Sequence, residues 1–120
     1  MHVTKESRPA SQLELKKITA IINRSVLGAV EQRLTELKIR GFSESDVTGC
    51  GEYSNFFRAD IKAPHIKIEL FTVKSKVDEI VSAIMATAHC GTQEDGIIVV
   101  LPVEQFYRIR TKSEASSADF

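Results

Sequence analysis

Arg108 and Arg110 stand one residue apart in LPVEQFYRIRT, residues 101–111. A strand puts side chains two apart on the same face, so this spacing sets two guanidiniums side by side. Like charges held together cost free energy unless an anion lies between them, which makes the pair a candidate anion clamp. Two other stretches could serve the same anion. Gly49-Cys50-Gly51 brackets one residue with two glycines and lets backbone N–H groups approach a negative charge closely. Asp95-Gly96 ends the short loop that starts at Gly91 and leads into the last apolar run. Each stretch has a plainer explanation. The glycine pair could be the end of a ribbon, Gly91 a helix C-cap with Asp95-Gly96 as a turn, and the arginines solvated residues on an edge strand. Their possible convergence at one boundary favours a site over three coincidences.

Residues of these types need elements to position them, and the apolar pattern supplies those. LKKITAIIN, Leu15–Asn23, alternates and then becomes continuously apolar, which predicts a strand. Ser25 is a plausible N-cap for a helix carrying Val26, Val30, Leu34 and Leu37, with Gly41 as its end. Residues 42–49 predict a second strand poor in apolar side chains. GCGEYSNFFRADIKAP then reads as a long loop. HIKIELFTV, His65–Val73, alternates cleanly and predicts a third strand. Ser75 with Asp78 suggests a capped second helix with a stripe of Val77, Ile80, Val81, Ile84, Met85 and Ala88, closed by Gly91. IIVVLPV, Ile97–Val103, predicts a buried strand running on into the arginines.

The order strand, helix, strand, strand, helix, strand, with a weak repeat of its two halves, predicts an α+β ferredoxin-like βαββαβ fold. Two helices would cover one face of a four-stranded antiparallel sheet. The open face is apolar enough to call for covering, hence for self-association. Residues 1–13 read as a flexible arm, 14–111 as the domain, and 112–120 as a mobile tail.

At 120 residues, with 42% hydrophobic and 27% charged content, the chain suits one ordinary globular domain. Sixteen basic residues balance sixteen acidic ones, so no general attraction to nucleic acid or anionic lipid is expected, and an anion site must be local. The sequence shows no signal-peptide pattern and no apolar run of membrane-spanning length, and with two cysteines a cytoplasmic setting is the expectation.

KKITAII, the GxxxxxVxGxG run from Gly41 to Gly51, and the stretch from IKIEL to RIRT together resemble the PII signal-transduction proteins, from Lys16 to about Thr111. The resemblance implies a homotrimer that binds adenine nucleotide in clefts between subunits. It implies a sensor rather than an enzyme, acting on a transporter or enzyme partner through a T-loop, here about 51–63, with a B-loop at about 90–96. Carried over by position, it puts Gly49, Cys50 and Gly51 beside the nucleotide. Ile21, Ser43 and Phe71 would border adenine and ribose, with Glu69 in the same cleft. Asp95 and Gly96 would belong to the B-loop, and Arg108 and Arg110 would reach the phosphates.

The departures from that pattern are specific. The T-loop is about seven residues short and lacks the family's uridylylation tyrosine motif. Cations expected at three positions are Glu52, His65 and Ile97, a glutamine that helps hold magnesium and 2-oxoglutarate is Tyr53, and a glycine is Glu94. Each lost charge contact removes on the order of 1–3 kcal/mol. ADP or AMP is therefore expected ahead of ATP, and 2-oxoglutarate sensing is expected to be lost. That combination resembles the divergent PII-like proteins of inorganic carbon metabolism, including the carboxysome-associated branch, with bicarbonate as a co-effector held by loop N–H groups and Arg58 or Lys62.

Other readings stay open. They are an ordinary nitrogen-regulatory PII protein, a metal-tolerance trimer using His89-Cys90, an RNA-binding module of the same strand–helix order, and a small acylphosphatase-like hydrolase. The His-Cys pair lacks metal-site spacing. Phe71 is the sole aromatic among the predicted central strands for an RNA base to stack on. No nucleophile–base pair stands out.

Overall fold

The computed structural model describes residues 13–47, 64–91 and 95–120. β1 (Leu15–Asn23) leads through a single 3-10 turn (Arg24–Val26) into α1 (Leu27–Glu36). β2 (Ser43–Val47) and β3 (His65–Val73) follow, then α2 (Lys74–Ala88) and β4 (Ile97–Val103). The sheet order is β2-β3-β1-β4, every pair antiparallel. This is the expected ferredoxin-like arrangement. β1 lies between β3 and β4, pairing Ile18 with both Leu70 and Val100.

Alternation decides which face is covered. Ile18, Ala20 and Ile22 of β1 and Ile66, Ile68 and Leu70 of β3 form one core with Val30 and Leu34 of α1 and Ile80 and Ile84 of α2. Burying such a side chain fully stabilises by roughly 1.5–3 kcal/mol. The opposite face carries Lys17, Glu69, Phe71, Val99 and Leu101 in cross-strand rows. β4 was expected to be fully buried, but it is an edge strand. Val99, Val100 and Leu101 are each about two-fifths exposed (38%, 40% and 43%). A continuous apolar run does not distinguish a central strand from an edge whose cover is another chain.

The helix ends differ from the local expectations. Ser25 does not cap α1. Its N–H donates to Asn23 Oδ1 at 2.9 Å, which starts the 3-10 turn instead. Nor does Gly41 end that helix. Ile39 N donates to Leu34 O (3.1 Å) and Lys38 N to Thr35 O (2.9 Å), the paired bonds of a Schellman ending. The left-handed residue this requires is Lys38, at φ 60°. α2 begins directly after β3 with Val73 at its N-cap and no side-chain cap, so Ser75 is already inside the helix. Replacing Lys38 by glycine removes the Cβ penalty of the left-handed region. The expected gain is about 0.5–1 kcal/mol in denaturant unfolding, after glycine's own entropy is subtracted.

The end of the chain departs furthest from expectation. β4 stops at Val103, and the arginine segment is a separate two-residue strand, β5 (Tyr107–Arg108). It pairs with β6 (Ser113–Glu114) across a turn. Residues 115–120, expected to be a loose tail, fold back over one end of the open face. Ala115 and Leu15 are 1% and 2% exposed and form a second small core with Val73, Val103, Phe106 and Phe120. The final turn is a 3-10 helix, Ser117–Asp119.

Candidate functional site

The predicted site residues separate into two groups. At one end of β1, Gly96 lies against the strand's backbone. A Cβ on Gly96 would stand 1.6 Å from Ile21 O. Glycine is therefore required here by contact, not by conformation. Asp95, beside it, closes the end of α2. Its Oδ1 accepts from Cys90 N at 2.9 Å, and its Oδ2 accepts from Gly91 N and faces His89 Nδ1, both at 3.0 Å. Gly91 takes a left-handed φ of 76°, but it does not close α2 as expected: the helix ends at Ala88 with His89 as an extended C-cap, two residues earlier. Burial works to raise the Asp95 pKa, but the two backbone donors and His89 hold the carboxyl below the usual aspartate range. A cleft of about 600 Å³ opens here, lined by Ile21, Met85, His89, Asp95, Gly96 and Ile97 among others. That volume is ample for a small organic ligand. Ile21 itself is fully enclosed.

The second group sits on the open face toward the other end of the strands. Ser43 pairs with Glu69, and Phe71 lies two residues further along β3 on the same face. The Phe71 ring meets Phe106 edge-on, with centroids 5.1 Å apart at 81°. A smaller cavity of about 230 Å³ is bounded by Phe71, Phe106 and Arg108 with Lys38, Arg40 and Lys76. Lys17, opposite Phe71, and Ile21 are four residues apart on β1, a span of roughly 13 Å. Neither cavity takes a wall residue from the other group.

Glu69 is paired within the chain. Lys17 Nζ contacts its Oε2, and Lys67 Nζ lies 3.4 Å from its Oε1. Lys17, as hydrogen-bond donor and as charge, holds the Glu69 carboxyl below the ordinary glutamate range, with Lys67 assisting against a desolvation cost. A lowered native pKa means the pair contributes stability above the ordinary glutamate value of 4.5 and loses it as pH falls through the native value. Glu69→Gln should therefore be less stable than the parent near neutrality, with the gap closing below about pH 4.5 in denaturant titrations.

Arg108 and Arg110 do not lie side by side on a strand. The turn begins at Ile109, so Arg108 faces the small cavity while Arg110 is exposed on the turn. Two carbonyl bonds of the turn, Lys112 N to Ile109 O and Thr111 Oγ1 to Arg108 O, replace the extended continuation that the spacing suggested. Arg108 Nε is 2.7 Å from Asp119 Oδ1. The contact is ionic, because the N–H is not aimed at an acceptor. His65 is 4% exposed on β3, opposite Val47. Gly49, Cys50, Gly51, Glu52, Tyr53, Arg58, Lys62 and Glu94 lie outside the described residues.

Four residues around Arg108 escaped the sequence reading: Lys38, Arg40, Lys76 and Asp119. Lys38 and Arg40 had a signal, the basic pair in KIRG immediately before the glycine taken as a helix end. Asp119 had one too, because Ser116 and Asp119 have capping-box spacing. Among the described residues no group of three or more His, Cys, Asp or Glu could hold a metal ion, and no helix is long and apolar enough to cross a membrane.

Residues 15–113 match the family model described as nitrogen regulatory protein P-II. The nitrogen regulatory protein P-II of Azospirillum brasilense is 34% identical over 111 residues, covering 87% of this chain and 99% of that protein. Its counterpart in Pasteurella multocida is 35% identical with the same coverage. The crystal structure of Arabidopsis thaliana PII bound to citrate superposes with a TM-score of 0.72 at 30% identity, covering 86% of this chain and 90% of that one.

Proposed function

Because the chain belongs to the nitrogen regulatory protein P-II family, we propose that it is a trimeric sensor of adenine nucleotide, with ADP or AMP bound ahead of ATP. The observation that carries this is the separation of the site into two halves. One half holds Ile21, Asp95 and Gly96, and the other holds Ser43, Phe71 and Arg108. Within one chain the two cavities, roughly 13 Å apart along the strand and sharing no wall residue, do not form one cleft. Two neighbouring copies in a ring can form one, each lending one half. The partly exposed Val99 and Leu101 supply the apolar surface such a ring would bury.

The two halves differ in charge. Ile97 stands where the resemblance expects a lysine, so the Asp95 half is poor in cations, whereas Lys38, Arg40, Lys76 and Arg108 surround the smaller cavity. A terminal phosphate held against Asp95 would add like charge, and two such charges about 4 Å apart repel by roughly 4 kcal/mol at an effective dielectric near 20. This favours the shorter phosphate chains. The loop between β2 and β3 is the output in this reading and would contact a transporter or enzyme in the cytoplasm. The protein would signal without turning its ligand over. The missing glutamine and lysine of the 2-oxoglutarate site support a different small effector, and bicarbonate is the one we propose, for a role in inorganic carbon metabolism.

Calorimetry with AMP, ADP and ATP, each with magnesium and with or without 2-oxoglutarate and bicarbonate, tests the reading. ADP or AMP should bind at least as tightly as ATP, 2-oxoglutarate should add nothing, and Lys38→Gly should weaken binding while raising stability. The names of the similar proteins favour a second reading, ordinary nitrogen signalling. Tight ATP binding strengthened by 2-oxoglutarate would decide for it.

A further inference from the structure

We propose that the C-terminal segment is a tethered occupant of the Arg108 half-site, and that ligand binding requires the segment to leave. The proposal rests on the nucleotide reading above and concerns the regulation of the same site. Asp119 and Phe120 form part of the wall of the small cavity, beside Arg40, Phe71 and Arg108. Together they offer a carboxylate and an aromatic ring on consecutive residues, the two features by which an anionic, ring-bearing ligand would engage the same surface. Phe120 sits edge-on to Phe106, with centroids 5.3 Å apart at 85°, and Phe106 sits edge-on to Phe71. The ring of the segment thus extends the aromatic row that a base would use.

The Asp119 carboxylate makes two contacts at once. Oδ1 lies 2.7 Å from Arg108 Nε, and Oδ2 accepts from Ser116 N at 2.8 Å. Asp119 N donates back to Ser116 O at 2.9 Å. The Ser116 N–H, then Arg108 and Arg40, hold this carboxyl below the usual aspartate range despite some desolvation, so it is charged near neutral pH. One side chain therefore links the fold of the last turn to occupation of the arginine. A ligand anion that takes Arg108 breaks the ionic contact, and loss of the turn frees Arg108.

The charge balance makes displacement feasible. Lys38, Arg40, Lys76 and Arg108 face a single acidic side chain, Asp119, among the described lining residues. A diphosphate carries more negative charge than one carboxylate and can use cations that Asp119 leaves unpaired. While closed, the segment lowers the apparent affinity by the fraction of molecules that are open. If about one molecule in ten is open, removing the contact tightens binding about tenfold. The root of the segment is different in kind. Ala115 is buried against Leu15 and belongs to the scaffold, so the movable part begins at Ser116.

The test compares the full chain, Asp119→Asn and a chain ending at Ser116, all titrated with ADP in a calorimeter after their melting temperatures are measured. Asp119→Asn should bind ADP about three- to tenfold more tightly and the shortened chain at least as tightly as that. In the full chain, saturating ADP should speed hydrogen exchange at the Asp119 and Phe120 amides. Folded variants that bind ADP no better than the parent, or less well, would overturn the proposal and make the segment part of the binding wall. If the shortened chain fails to fold, Asp119→Asn alone carries the comparison. Equal binding by all the chains removes this proposal and leaves the nucleotide reading standing, whereas absence of binding of any adenine nucleotide removes both.

Discussion

Gly96→Ala is expected to cost at least about 3 kcal/mol of stability, lowering the melting temperature by more than about 10 °C. Its Cβ would fall 1.6 Å from Ile21 O, 2.6 Å from Ile21 C and 3.3 Å from Ile22 N. Carbon does not tolerate the first two distances, and none of these atoms belongs to a flexible side chain. The strand they belong to is held on both sides, since Ile21 pairs with Lys67 of β3 and with Ile97 of β4. The start of β4 must therefore retreat, losing the Ile97 pairing and disturbing the Asp95 contacts that end α2. Thermal unfolding followed by circular dichroism checks this. A variant melting within about 3 °C of the parent would show that the loop can reposition freely. Gly91→Ala is the natural comparison. It strains a left-handed residue but meets nothing nearer than 3.9 Å, so it should cost far less, about 1 kcal/mol.

The second large effect is on assembly. Leu101→Asp should convert the proposed trimer to monomer at about 10 μM, because an unpaired carboxylate buried at each interface of such a ring would cost several kcal/mol. Leu101 is 43% exposed and lies on the open face in one cross-strand row with Lys17 and Phe71. Val99 stands in the neighbouring row opposite Thr19. Neither faces the core between sheet and helices, so the domain itself should survive the change. Light scattering together with circular dichroism separates the outcomes. A folded monomer supports the assembly, and an unaltered trimer would place the interface elsewhere.

Long-period features of the fold were legible in the sequence, and single-residue features were often not. Alternation in HIKIELFTV and the stripe from Val77 to Ala88 gave the right element types, because burial on one face imposes a period that local noise does not erase. Lys38 shows the opposite case. Glycine at position 41 looked like the helix end, yet the backbone bonds Ile39 N to Leu34 O and Lys38 N to Thr35 O close the helix earlier and put a lysine in the left-handed region. Ser75 looked like a cap, but Val73 passes directly from strand to helix. The arginine pair misled for a related reason. Spacing of two reads as one face only if the strand continues, and the turn at Ile109 is closed by hydrogen bonds that no periodicity announces. Gly96 was identified as a site residue from its neighbours, whereas the contact that demands glycine is with a strand 75 positions earlier in the chain.

The division of the proposed site between the two ends of one strand, shared by neighbouring copies in that reading, has a genetic consequence. A chain disabled at Arg108 keeps its Asp95 half, and a chain disabled at Asp95 keeps its Arg108 half. Made alone, each would assemble into rings with no competent cleft. Made together, the two defective chains would mix, and any mixed ring has a single junction where the intact half of one chain meets the intact half of the other. Partial recovery of ligand binding on co-expression, from two chains that separately bind nothing, is the behaviour that shared clefts impose and that a site contained within one chain could never produce.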